Sequence, residues 1–335
     1  MKQKIKQNLL LITVIILSFI AGGIAYKYKF PVFSYVDKFL NVFYPEFFYP
    51  AYEQKSSEIF EKKEVTHPFT FIVYGDSREF AGIQKTLVVK KIIEERPSFV
   101  IHLGDMVTYS DEHQWEIFDA FDGEIIKNGI PFYPVLGNHE YRVMFQERGE
   151  PSKLLRSYFK RFPFLEERRW YSFVYGNCKF IILDTMTDHS PESAQARWLK
   201  EELKKKDSDF LFVAMHHPPY TKTTHGGARK AEKKLAQLFE SYAQEDFKKV
   251  DIVFAAHKHN YERYVNNRIN YVVSAGGGAP PYLVKRDKND IFREKGFTYH
   301  YCKIRIKEKD AIFQMIQLKN NLKSWKIGDA FSFSN

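Results

Sequence analysis

Two cysteines, Cys178 and Cys302, are all that the 335 residues contain, so a metal site built from several thiolates is excluded. Each lies in a strand-like run, and whether the two pair depends on a distance the sequence does not give. No Gly-x-Ser-x-Gly occurs, which leaves nucleophilic serine chemistry without support. Gly276-Gly277-Gly278 follows the strand-like run 271–275, but no helix-opening Lys-Ser or Lys-Thr comes after it. The triplet therefore predicts a bend that lets backbone pass close to the site, not a phosphate cradle. Internal repeats and low-complexity stretches are absent too.

The charge balance is one-sided, with a formal net charge of +10. Nucleic acid is an unlikely partner nonetheless, because Lys204-Lys205-Lys206 and Lys233-Lys234 fall on predicted helix faces beside acids, the pattern of a solvated surface. A positive field also attracts anionic phosphate substrates or anionic lipid headgroups. No motif names a protein partner.

What the chain does have is five apolar, strand-like runs that each end in metal-ligating residues. Gly75-Asp76-Ser77-Arg78 follows Phe71-Ile72-Val73-Tyr74, and Gly104-Asp105 follows the run 99–103. Gly137-Asn138-His139-Glu140 follows 133–136, His216-His217 follows 210–215, and His257-Lys258-His259 follows 251–256. Any one cluster is ordinary, since Gly-Asp after a strand is commonly a turn. Ligands in α/β sheets collect beyond the carboxyl ends of strands, so five such clusters can converge on one spot. Two cations held close together need a bridging carboxylate, and Asp105 is the natural bridge. Mixed carboxylate, amide and imidazole ligands suit Fe, Mn or Zn, as two divalent or trivalent ions. His102, His113 and His189 fall outside the pattern and read as structural or exposed.

In this order, the motifs resemble the calcineurin-like metallophosphoesterase superfamily, and Ala256-His257-Lys258-His259-Asn260-Tyr261-Glu262-Arg263 is closest to its purple acid phosphatase branch. The resemblance covers about residues 68 to 318. It implies that one metal takes Asp76, Asp105 and His259, and the other Asp105, Asn138, His216 and His257. It implies catalytic roles for His139, at the phosphoryl oxygens or the leaving group, and for His225, where that branch often carries a second substrate-facing histidine. The implied activity is hydrolysis of a phosphate ester by metal-bound hydroxide. Two positions depart from the pattern. Arg78 stands where the superfamily has His or Gly; it cannot ligate a metal, and it either grips a substrate phosphate or pairs with a carboxylate. Thr108 stands where the purple branch has its tyrosine ligand, and Tyr109, one place later, points the other way on an extended backbone. These departures motivate an alternative, a non-catalytic membrane-anchored binding module on a degenerate phosphoesterase scaffold.

The N-terminus carries the remaining signal. Residues 7–26 are uncharged, long enough for one transmembrane helix. Lys2, Lys4 and Lys6 precede it and keep the N-terminus cytoplasmic, so the expectation is a single-pass cell-membrane protein with its catalytic domain on the extracytoplasmic side. The length of the run favours an uncleaved anchor over a signal peptide. Twelve aromatics between Tyr26 and Tyr52 either lie along the outer leaflet or pack on protein, and a charged linker, 53–64, follows. The expected division is an anchor over 1–26, a juxtamembrane segment over 27–66 and one domain over 67–335. Strand-like runs alternating with helical stretches at 84–95, 193–206 and 229–243 predict an α/β fold. The resemblance sharpens this to a four-layer αββα sandwich with two mixed sheets.

Overall fold

Continuous apolar runs such as Phe-Thr-Phe-Ile-Val-Tyr and Phe-Leu-Phe-Val-Ala become strands that are buried on both faces, as parallel strands covered by helices must be. In the computed structural model the described residues are 58–335, apart from 63, 79–81, 143–150, 243–246 and 297. The expected membrane segment and the whole of the aromatic stretch lie outside them. No helix among the described residues is long and apolar enough to cross a membrane.

The strands are β1 (Glu58–Lys62), β2 (Phe69–Tyr74), β3 (Phe99–His102), β4 (Phe132–Pro134), β5 (Tyr171–Tyr175), β6 (Cys178–Ile182), β7 (Phe210–Ala214), β8 (Ile252–Ala255), β9 (Tyr261–Asn266), β10 (Ile269–Ser274), β11 (His300–Lys307), β12 (Asp310–Leu318) and β13 (Trp325–Ser334). They form two mixed sheets, in the orders β1-β5-β6-β7-β8-β10-β9 and β13-β12-β11-β2-β3-β4. Parallel runs sit inside each: β6, β7, β8 and β10 in one, and β2, β3 and β4 in the other.

Alternation along the strands sorts side chains into layers. Phe180, Phe210 and Phe212 face an inner core shared with the other sheet, where Phe71 meets Phe180 and Phe212 edge-on at 5.0 and 5.2 Å. Their neighbours Ile181, Leu211 and Val213 face outward, against Leu199 and Leu203 of helix α2 (Ala194–Lys204) and Leu235 and Phe239 of α3 (Lys230–Tyr242). Ser193 caps α2, its hydroxyl accepting from the Ala196 N–H at 3.1 Å. On the second sheet, Tyr301 and Lys303 reach outward to Glu95 of helix α1 (Ile83–Glu95), while Cys302 between them turns inward and donates to Ser274 on β10. Cys178 and Cys302 are both buried and free.

The stretch expected to be a charged linker contributes a strand. β1 pairs parallel with β5 at the sheet edge, and Phe60 stacks on Tyr133 and Phe173 at 5.9 and 5.8 Å. Glu61 and Lys62 are exposed, which suits an edge that must resist further pairing and disguises the strand as linker. The folded unit thus begins before residue 67.

Candidate metal centre

The parallel strands of both sheets deliver their following loops to one place. Ordinary L-residues resist the left-handed backbone region by roughly 1–2 kcal/mol each, yet Asp76, Asp105 and His257 all adopt it, with φ of 54°, 57° and 64°. Such turns re-aim a side chain immediately after a strand, and they concentrate at functional sites. Cross-loop hydrogen bonds hold them: Asp76 N–H to Gly104 O at 3.0 Å, Arg78 N–H to Asp105 O at 3.0 Å, and His257 N–H to Asp76 Oδ2 at 2.7 Å. Gly137 is needed for close approach, since a Cβ there would lie 2.3 Å from Asp105 Oδ1. The Gly276-Gly277-Gly278 bend passes the Asp76 loop, with Gly277 N–H donating to Gly75 O and Ala279 N–H to Asp76 O, both at 2.9 Å.

Two buried side chains brace these loops. Glu140 accepts three backbone N–H bonds, from Asp105 and Gly137 on Oε2 at 3.0 and 2.7 Å and from Met106 on Oε1 at 2.7 Å. Burial, reinforced by Asp105, pushes its carboxyl up to about 7. His102 accepts the Gly104 N–H on Nδ1 at 3.2 Å, so its Nε2–H is left to donate to Ser77 Oγ at 2.9 Å. Burial brings its pKa down to about 3 and keeps the ring neutral.

The histidines facing the centre are oriented by backbone carbonyls. Nδ1 of His216 meets Leu103 O at 2.8 Å, Nδ1 of His259 meets Pro280 O at 2.8 Å, and Nδ1 of His139 meets Thr108 O at 2.7 Å. A carbonyl only accepts, so Nδ1 carries the hydrogen and Nε2 of the neutral ring presents a lone pair to the site. His216 Nε2 lies 3.2 Å from Asn138 Oδ1 and 3.3 Å from Asp105 Oδ1, and His259 Nε2 lies 3.1 Å from Asp76 Oδ1. Asp76 Oδ1 is buried without a hydrogen-bond partner. Acceptors converging on one another are costly in a dry interior unless a cation or proton lies between them. The donor set therefore fits a metal.

Electrostatics agree. Burial opposes charge on His216, but Asp105 outweighs it and carries the imidazole up to about 9. Burial raises Asp105, yet His216 and Arg78 together hold it well below the usual carboxylate range. Burial keeps His257 well below its ordinary value, as it does His139 with help from Arg78, so both rings are neutral.

Residues 67–261 match the family model for calcineurin-like phosphoesterases. The chain belongs to this family. Purple acid phosphatase 21 of Arabidopsis thaliana is 29% identical over 294 residues, covering 80% of this chain and 64% of that protein. Purple acid phosphatase 23 of the same plant is 28% identical over 243 residues, covering 62% and 50%. The chain thus spans between about half and two-thirds of the length of these two relatives. The fold is similar to that of a purple acid phosphatase from yellow lupin (Lupinus luteus) seeds, at a TM-score of 0.66 and 20% identity over 82% of this chain and 55% of that one. It is also similar to PhoD, at 0.63 and 11% identity over 82% and 71%.

Against the family pattern, Asp76, Asp105 and His259 come together as one group of ligand atoms, all within 4.8 Å of one another. His216 Nε2 meets both Asn138 Oδ1 and Asp105 Oδ1. His257 joins His216, in a group that also contains His217, a residue to which the sequence assigned no role although it adjoins His216. Its ring Nδ1 pairs with Thr185 Oγ1 at 2.8 Å. His225 stands one ring away: it stacks on Tyr282 at 4.3 Å, and Tyr282 stacks on His259 at 4.2 Å. Lys258 Nζ donates to His225 O at 2.7 Å, tying that loop to the centre. Arg142 Nη1 lies 3.2 Å from His139 Nε2. At the purple branch's tyrosine position, Thr108 offers its backbone to His139.

Proposed function

We propose that this family member is a metal-dependent phosphoesterase. The observation that supports the reading is the proximity of two groups of candidate ligands, one with Asp76, Asp105 and His259 and one with His216 and His257, where His216 Nε2 lies 3.3 Å from Asp105 Oδ1 and 3.2 Å from Asn138 Oδ1. A metal bound there would supply Lewis acidity toward a phosphate ester and lower the pKa of a water molecule. Arg78, Arg142 and Lys258 ring this spot with positive charge, which favours an anionic phosphate. His139 keeps its Nδ1 hydrogen on Thr108 O, which leaves Nε2 as an acceptor, 3.2 Å from Arg142 Nη1. A phosphate anion placed beside it raises its affinity for a proton, and that proton is then available to the departing oxygen.

The test is turnover by the purified chain on a phosphomonoester, a phosphodiester and pyrophosphate, with Mn, Fe, Zn or Mg supplied. Asp105→Asn removes the shared carboxylate and is expected to abolish both metal retention and turnover. Retention of both in that variant refutes the reading, and metal binding without turnover on any ester returns the non-catalytic binding module. We also propose that residues 7–26 anchor the domain in the cell membrane with the domain on the extracytoplasmic side. The uncharged run and its preceding lysines support this; recovery of the unprocessed chain in the soluble fraction refutes it.

A further inference from the structure

We infer that the guanidinium of Arg78 takes the place of a metal ion in the Asp76, Asp105 and His259 group, so that the centre holds one tightly bound ion, at Asp105, Asn138, His216 and His257. The inference rests on the metal-centre reading above and refines how many ions that centre takes.

The first group calls for a positive partner, because it brings two buried carboxylates, Asp76 and Asp105, together. The chain supplies one two residues further on. Arg78 is buried, and its backbone N–H is pinned to Asp105 O at 3.0 Å. Its Nε lies 3.5 Å from Asp105 Oδ2, and its Nη2 lies 3.5 Å from His259 Nε2. One edge of a rigid planar group thus addresses two of the three residues that make up the first group. A guanidinium has no lone pair and does not lose its charge, so it enters the group as a cation and never as a ligand.

Distance and charge then work against a second ion. A metal bonded to His259 Nε2 at about 2.0–2.1 Å would press against the Nε–Nη2 edge in a site shielded from solvent, where like charges repel strongly. Asp76 and Asp105 are the two carboxylates among the assigned ligands. Against them, one guanidinium and one divalent ion leave a single surplus positive charge; a second divalent ion would leave three. The two oxygens of Asp105 are already divided, Oδ2 toward Arg78 and Oδ1 toward His216 Nε2 at 3.3 Å. A shared carboxylate can therefore link a fixed organic cation to a metal as readily as it links two metals. On the substrate side, the guanidinium offers N–H donors to a phosphate oxygen.

The experiment counts ions. The full chain, Arg78→Gly, Arg78→Met and Asp105→Asn are stripped with chelator, dialysed against Mn²⁺ or Zn²⁺ and analysed for metal per chain, with thermal melts to confirm folding. The parent is expected to retain one ion, and the Arg78 variants two, with the second ion bound about 10–100-fold more tightly than in the parent, the usual scale for residues that flank a metal. Two tightly held ions in the parent overturn the inference and leave the metal-centre reading standing. So does a single ion in both folded Arg78 variants. No ion in the parent, or unchanged metal content in Asp105→Asn, overturns the metal-centre reading and the inference with it.

Discussion

Adding one carbon at Gly137 tests whether the centre depends on the exact seat of Asp105, without touching a ligand. The new Cβ would sit 2.3 Å from Asp105 Oδ1, 2.5 Å from the Asp105 amide nitrogen and 2.9 Å from Glu140 Oε2. A carbon–oxygen contact needs roughly 3.3 Å, so the two loops must part by about 1 Å. Asp105 has little room to yield, because Oδ1 accepts the His139 N–H at 2.9 Å and its own N–H is held by Glu140 at 3.0 Å. Gly137 has no left-handed φ, so alanine meets no backbone penalty there, and on open ground the change would stabilise by about 0.4–1 kcal/mol. The clash should reverse this sign and cost about 1–3 kcal/mol, a fall in Tm of roughly 2–10 °C for a domain of this size. Metal affinity should drop about 10–100-fold, and turnover about 100-fold for a 1 Å displacement of a positioned group. Gly227→Ala is the control, because nothing lies within 4 Å of its Cβ position and it should match the parent. Melting curves, metal analysis and kcat/KM on a phosphate ester check the three effects. If Gly137→Ala keeps parental metal content and turnover, the dependence on Asp105 argued above is wrong.

His139→Ala should keep its metal and lose about 10²–10⁴-fold in turnover, whereas His216→Ala should lose the metal; equal metal loss in both removes the division of roles. Iron-loaded protein should lack visible phenolate-to-iron absorption, since Thr108 replaces the expected tyrosine, and a purple sample bleached by Tyr109→Phe would mean that a local bulge returns Tyr109 to the ligand face. Glu232 gives a stability test away from the centre. Burial raises its pKa, but Arg229 and His189 outweigh burial and bring it down to about 2. A depressed carboxyl stabilises the fold above its unfolded pKa and loses that contribution as pH falls through the folded one. The pH-dependent deficit of Glu232→Gln, measured by chemical denaturation in chelator, should thus be full just above about pH 4.5, on the order of 3 kcal/mol, shrink toward pH 2, and fall in part again as pH rises through the raised pKa of His189. A deficit that stays constant over that window refutes the assignment.

The strand-end motifs were legible because parallel strands of both sheets point their carboxyl ends to one edge, so apolar runs followed by Asp, Asn or His mark positions near a common site. The helices were legible from periodicity, and α1, α2 and α3 lie within one or two residues of the expected bounds. What escaped depends on contacts distant in sequence. β1 hid among charges because one side of an edge strand is wet. Glu140 was visible in its motif, but its hold on the Asp105 turn joins two separate strand ends. The place of His225 was obscured by Tyr282, a residue 57 positions further along whose ring stacks between it and His259. Arg78 was read as either a phosphate grip or a carboxylate partner, and the side-chain geometry shows it against Asp105 and His259.

The left-handed backbone at Asp76 and Asp105 bears on how variants of this centre must be read. Asparagine shares with aspartate a tolerance for that conformation which alanine lacks. Aspartate-to-asparagine changes at these two positions keep the turn and remove the charge, so their defects report electrostatics and ligation. Alanine at the same positions adds backbone strain to the loss of the carboxylate, and so lowers stability and metal affinity for two reasons that one measurement cannot separate. A scan that uses alanine throughout would overstate the ligand contribution of Asp76 and Asp105 relative to Asn138 and His259, whose backbones lie outside the left-handed region.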